Sequence, residues 1–165
     1  MGSYSYGKKE IIAWIKDHFE EKATCLDVGP CDGKYANLLD GYLTIDACEI
    51  FAPNIENHRL RWIYREVFNA DIKDLYYEWY DLIIFGDVIE HMTVEDAQTA
   101  IRYAWDRCHD MIIAVPWLYT QDEMYGNKWE KHLQPDLTPK VFEQRYPGFE
   151  LIWANNEYAY YHKRI

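Results

Sequence analysis

Between Thr24 and Tyr35 an apolar, β-prone run meets an acid at Asp27 and then breaks at Gly29 and Gly33, with Pro30, Cys31 and Asp32 between the two glycines. A short amphipathic stretch, Tyr35 to Leu39, follows. This pattern predicts a strand, a tight turn and a helix. In open α/β sheets such a turn lies at the carboxyl end of a parallel strand, which is where those sheets bind ligands. Gly29 and Gly33 allow backbone angles and close approaches that a side chain forbids.

The rest of the chain repeats the alternation. Lys8 to Glu21 has apolar residues at Ile11, Ile15 and Phe19 with charges opposite, which predicts an amphipathic helix. Strands are expected at Thr24–Val28, Tyr42–Ile50, Trp62–Phe68, Tyr80–Gly86, Met111–Val115, Phe149–Ala154 and Tyr158–Lys163, with helices between the first six. Tyr80 to Gly86 is almost wholly apolar, as befits a strand covered on both faces. Thr93 with Asp96 predicts the start of a helix that runs to about Arg107. Thr138 followed by Pro139 predicts another. Asn155-Asn156 suits a tight turn, so the last two strands form a hairpin. At 165 residues this is one domain, residues 1–165. Residues 116–136 lack periodicity and are rich in Trp, Tyr and polar side chains, so they are expected to form a lid or insert.

Two segments carry a resemblance. Asp27-x-Gly29-x-x-x-Gly33, with an acid (Glu49) at the end of the next strand, resembles the first motif of class I S-adenosylmethionine-dependent methyltransferases. That family usually has a third glycine where this chain has Cys31. Gly86-Asp87-Val88-Ile89-Glu90-His91 is similar to the segment after strand four in small-molecule methyltransferases of the ubiquinone-biosynthesis type. The resemblance spans about residues 8 to 164. It implies a Rossmann-like, doubly wound, mostly parallel sheet of seven strands in the order 3-2-1-4-5-7-6, with an antiparallel last strand.

The resemblance also implies S-adenosyl-L-methionine as cofactor and methyl transfer to a small molecule. Gly29, Pro30, Cys31 and Gly33 would border its methionine part, and Asp27 would reach the ammonium. Glu49 would hold the ribose hydroxyls beside Ile50. Asp71 would accept from the adenine amine, with Ile72 against the ring. Gly86, Asp87 and Val88 would pass beside the methionine end. His91 and His132 are candidate general bases, needed only if the acceptor carries a proton at neutral pH. Trp117, Tyr119, Tyr125 and Trp129 could enclose an apolar or cationic acceptor. No metal is expected: His91, His132 and lid carboxylates could meet only in space, since no pair has His-x-x-x-His spacing. A protein of this fold that binds the cofactor, or its demethylated product, without catalysis is an alternative. A nicotinamide-dependent oxidoreductase is opposed by Asp27, by Asp71 and by the terminal hairpin.

A formal charge of −11 argues against nucleic acid and anionic membranes as partners. No apolar run approaches the ~18 residues of a membrane span. Four cysteines without a Cys-x-x-Cys pair point to buried, reduced thiols and a cytoplasmic setting. Nothing in the sequence specifies an oligomeric state.

Overall fold

The computed structural model describes residues 6–77 and 79–164. Five helices and seven strands alternate: α1 Lys8–His18, β1 Thr24–Val28, α2 Lys34–Leu38, β2 Thr44–Cys48, α3 Ala52–Asn57, β3 Val67–Phe68, β4 Tyr80–Gly86, α4 Val94–Trp105, β5 Cys108–Pro116, α5 Pro139–Arg145, β6 Glu150–Ala154 and β7 Tyr158–Arg164. The sheet has the order β3-β2-β1-β4-β5-β7-β6. β1 through β5 are parallel, and β7 runs antiparallel to both β5 and β6. This is the expected doubly wound architecture.

Alternation along the central strands splits the core into two layers. Ile83 and Phe85 of β4 face Ala97, Ala100 and Ala104 of α4 and Phe142 of α5. Leu82 and Ile84, one residue out of step, face Ile11 and Ile15 of α1 with Tyr35 of α2 and Leu39 at its end. All of these side chains are buried. Thr93 caps α4 by accepting from the Asp96 N–H at 3.1 Å, and Thr138 caps α5 by accepting from the Val141 N–H at 3.2 Å. Asn155 Oδ1 accepts from the N–H groups of Glu157 and Tyr158 and so closes the β6–β7 hairpin.

The boundaries depart from expectation in several places. α1 stops at His18, because Phe19 turns extended and the Tyr42 hydroxyl bonds the carbonyls of Lys16 and Phe19. That engagement also keeps Tyr42 out of β2. β3 is only two residues long: a 3₁₀ turn at Leu60–Trp62 takes the start of the expected strand and leaves Trp62 90% exposed. Among residues 69–77 and 79 no helix separates β3 from β4. β5 begins at Cys108 rather than Met111, since Asp110 pairs in register with Arg164 and its carboxylate meets His162 Nε2 at 2.6 Å. Cys25, Cys48 and Cys108 are buried thiols, and Cys31 is half-buried.

Candidate functional site

The carboxyl ends of β1, β2, β4 and β5, with the segments that leave them, converge on one cavity of about 450 Å³. β1 delivers Asp27 and Val28 to its floor, and the chain turns there through Gly29, Pro30 and Cys31. Gly29 has φ +66°, its N–H bonds the Cys48 carbonyl at 2.9 Å, and a Cβ on it would lie 2.7 Å from Val88 Cγ2. Glycine is therefore demanded twice, by backbone angle and by space. Cys31 adopts φ 47°, a left-handed conformation that costs a non-glycine residue on the order of 1–2 kcal/mol.

Asp27 is 1% exposed, and its Oδ2 accepts from the Tyr64 hydroxyl at 2.6 Å. Burial pushes its carboxyl up to about 7, against the pull of Tyr64 and Lys8. From the end of β2, Glu49 enters at 4% exposure, with Ile50 beside it. Glu49 accepts from the Phe51 N–H at 2.8 Å and from Asn54 Nδ2 at 3.3 Å, and burial raises its pKa. Beyond β3, Asp71 and Ile72 line the far wall. Asp71 Oδ1 accepts from the Lys73 N–H at 3.0 Å, a local turn, and Oδ2 lies 3.6 Å from Lys73 Nζ.

After β4 the chain passes Gly86, Asp87 and Val88 along the cavity and enters a 3₁₀ turn at Ile89–His91. A Cβ on Gly86 would meet the Tyr35 ring at 2.5 Å. Asp87 takes φ 58°, and its N–H bonds the Ala114 carbonyl at 3.2 Å. Its charge adds to burial in pushing the Tyr158 and Tyr160 phenols up. Lys8, on the same face of α1 as Ile11 and Ile15, is 7% exposed with Nζ 3.7 Å from the Tyr35 ring centroid. Burial lowers its pKa to about 8, with Asp87 and Asp27 opposing.

Residues 116–136 lend Tyr119, Trp129 and His132 to the cavity lining, and their second half is tied down. Leu133 N–H and Gln134 N–H both donate to the Glu90 carbonyl, at 2.8 and 3.1 Å. The buried Gln134 amide donates to the carbonyls of Ile89 (2.8 Å) and Met92 (3.2 Å) and accepts from the Tyr146 hydroxyl (2.8 Å) and Arg145 (3.2 Å). His132 sits on this anchored half, with Nδ1 2.8 Å from the Tyr119 carbonyl, and His91 Nδ1 lies 3.4 Å from the Lys131 carbonyl. The two rings meet edge-on, with centroids 4.6 Å apart. Burial lowers the pKa of both, to about 4 for His91, with His132 adding to the effect on His91.

Every expected site residue but three lines this cavity. Gly33 does not: it starts α2 at φ +74° and packs toward Ile63. Trp117 leans back on the core, edge-on to Tyr161 at 6.2 Å. Tyr125 stands 86% exposed in the Met124–Asn127 turn. Tyr119 and Trp129 do line the cavity; Trp129 is 43% exposed, with Lys128 Nζ 4.6 Å from its ring centroid.

Two charged residues near the floor were not singled out from the sequence. Lys8 was detectable as a lysine on the apolar face of an amphipathic helix. Glu90 was detectable as the second acid of Asp87-x-x-Glu90, next to a histidine.

No family model matches the chain, and no curated protein matches it in sequence. Solved structures do match in fold. An S-adenosylmethionine-dependent methyltransferase from Clostridium acetobutylicum ATCC 824 is 11% identical, with a TM-score of 0.71 over 95% of this chain and 89% of that one. The 1,6-didemethyltoxoflavin-N1-methyltransferase of Burkholderia thailandensis, with bound 1,6-didemethyltoxoflavin and S-adenosylhomocysteine, is 16% identical, with a TM-score of 0.69 over 96% and 78%. The N-methyltransferase NodS from Bradyrhizobium japonicum WM9 is 12% identical, with a TM-score of 0.65 over 94% and 92%. At these identities the likeness is one of fold.

Proposed function

We propose that this chain, which has the fold of class I S-adenosylmethionine-dependent methyltransferases, binds S-adenosylmethionine and transfers its methyl group to a small-molecule acceptor. The observation that carries this reading is the meeting of Asp27, Glu49 and Asp71 around one cavity at the ends of three neighbouring strands. S-adenosylmethionine supplies a sulfonium-bound methyl group for in-line displacement, and it presents an ammonium, two ribose hydroxyls and an adenine amine. Three carboxylates at separate points suit that set of donors. The glycine turn supports the same assignment, since Gly29 lines the cavity at φ +66° and a Cβ there would strike Val88, so the backbone itself faces the ligand.

In this reading Glu49 holds the ribose, with Ile50 beside it, and Asp71 and Ile72 hold the adenine. Asp27 faces the ammonium, the backbone from Gly29 to Cys31 borders the methionine chain, and Gly86 to Val88 border the methyl end. Tyr119 and Trp129 enclose the acceptor. Positioning of this kind supplies roughly 7–11 kcal/mol of barrier reduction. His91 and His132 line the same cavity, and burial, which lowers the pKa of both, favours the neutral imidazole that a general base must present.

Calorimetric titration with S-adenosylmethionine, its demethylated product and NAD tests the binding half. Micromolar affinity for the first two is expected, with none for NAD. Glu49→Ala and Asp71→Ala should each weaken the nucleoside affinity at least tenfold, a loss of about 1.4 kcal/mol or more. Unchanged affinity in both folded variants would sink the ribose and adenine assignments. The left-handed Cys31, which brings a Cβ to the cofactor turn, favours a second reading: a protein that binds the nucleoside without turnover. Binding with no methyl transfer across a broad acceptor panel would select it.

A further inference from the structure

The post-β4 turn and the anchored half of the lid place Glu90, His91 and His132 side by side. One ligand atom from each lies within 4.8 Å of those of the other two. Glu90 is 1% exposed, and neither of its carboxylate oxygens has a hydrogen-bond partner in another residue. A buried carboxylate in that condition forfeits its hydration for nothing, and native structures tolerate this where a cation or ligand completes the site.

The two histidines supply the complement. A backbone carbonyl can only accept, so the Nδ1 atoms that face the Lys131 and Tyr119 carbonyls carry the ring protons. The lone pair then falls to Nε2 in both rings. A second ring nitrogen fixed by a backbone carbonyl is the usual support of a metal-binding histidine.

We propose that Glu90, His91 and His132 form a binding site for a divalent transition-metal ion. Two imidazoles and one carboxylate suit zinc, manganese, iron or cobalt better than magnesium or calcium, which prefer all-oxygen shells. Ligand atoms around a four-coordinate ion at ~2.0–2.1 Å stand roughly 3.3 Å apart. Three protein ligands leave at least one position open toward the cavity that all three residues line. Resting on the methyl-transfer reading, that position would take a lone pair of the acceptor and orient it. The imidazoles would then serve as ligands rather than as proton acceptors. The spacing rule missed the trio because it comes from two segments separated by a helix and a strand.

Cobalt(II) titration of chelator-treated protein, followed by visible absorption, tests the site without any turnover. One equivalent should bind with intense d–d bands, and one equivalent of zinc should abolish them. Glu90→Gln, which keeps the shape of the side chain, and His132→Asn should each weaken binding at least tenfold while leaving the S-adenosylhomocysteine affinity within about threefold. Cobalt affinity unchanged in both variants, or no stoichiometric binding by the wild type at 100 µM metal, would overturn the proposal. Nucleoside binding without metal binding overturns this proposal alone. Metal binding without nucleoside binding upholds it and overturns the methyltransferase reading.

Discussion

Asp27 is the residue on which burial acts most plainly. Its aspartate identity and its place before the first glycine were readable in the sequence. Its protonation was not, because that depends on Tyr64, 37 residues away, and on complete enclosure. With a folded pKa near 7 against an ordinary 3.8, the native state holds this proton more tightly than the unfolded chain does. The resulting stability is fully present below the unfolded value and is lost as pH rises through 7. Asp27→Asn should therefore be about as stable as the wild type near pH 4. It should be more stable at pH 8, by on the order of 3–4 kcal/mol at most, as read from urea unfolding. A ligand ammonium reverses the preference and favours the anion. Affinity for S-adenosylmethionine should rise about tenfold from pH 6 to pH 8 in the wild type and stay flat in Asp27→Asn. Cys31 and Glu90 mark the same limit from the other side: both were visible as residue types, but the left-handed backbone angle of Cys31 and the burial of the Glu90 carboxylate appear only once the chain is folded.

Among the elements, β1 and β4 match their expected bounds, whereas the apolar run of β5 marked only the middle of that strand. The bounds of β3 were not legible, because Trp62 and Tyr64 read as alternating strand residues while the 3₁₀ turn at Leu60–Trp62 turns Trp62 out to solvent. Residues 116–136 were legible as an irregular segment through their length and missing period. Their anchorage was not, since the Gln134 bonds span 11 to 45 residues. That side chain, 2% exposed, satisfies four groups at once. Gln134→Ala should cost about 2–4 kcal/mol in urea unfolding, because two carbonyls and two donors lose their partner together. It should also open residues 118–136 to limited proteolysis before the rest of the chain. Wild-type resistance in that segment would argue against the anchor.

At the scale of the molecule, the alternation of strand and helix was enough to imply a parallel sheet with both faces covered. The order of the strands came from the resemblance, since periodicity cannot say which strand lies beside which. The sheet then gathers at one edge of its carboxyl ends side chains that are far apart in sequence, from Asp27 to His132. Only one of the seven tryptophans, Trp129, belongs to that gathering. The others lie on helices, strands and turns away from the cavity walls. The molecule thus carries its own optical probe. Filling the cavity should move the emission of a single indole against a constant background from six. Replacing Trp129 with Phe should erase most of the ligand-dependent change in fluorescence while leaving the bulk of the light.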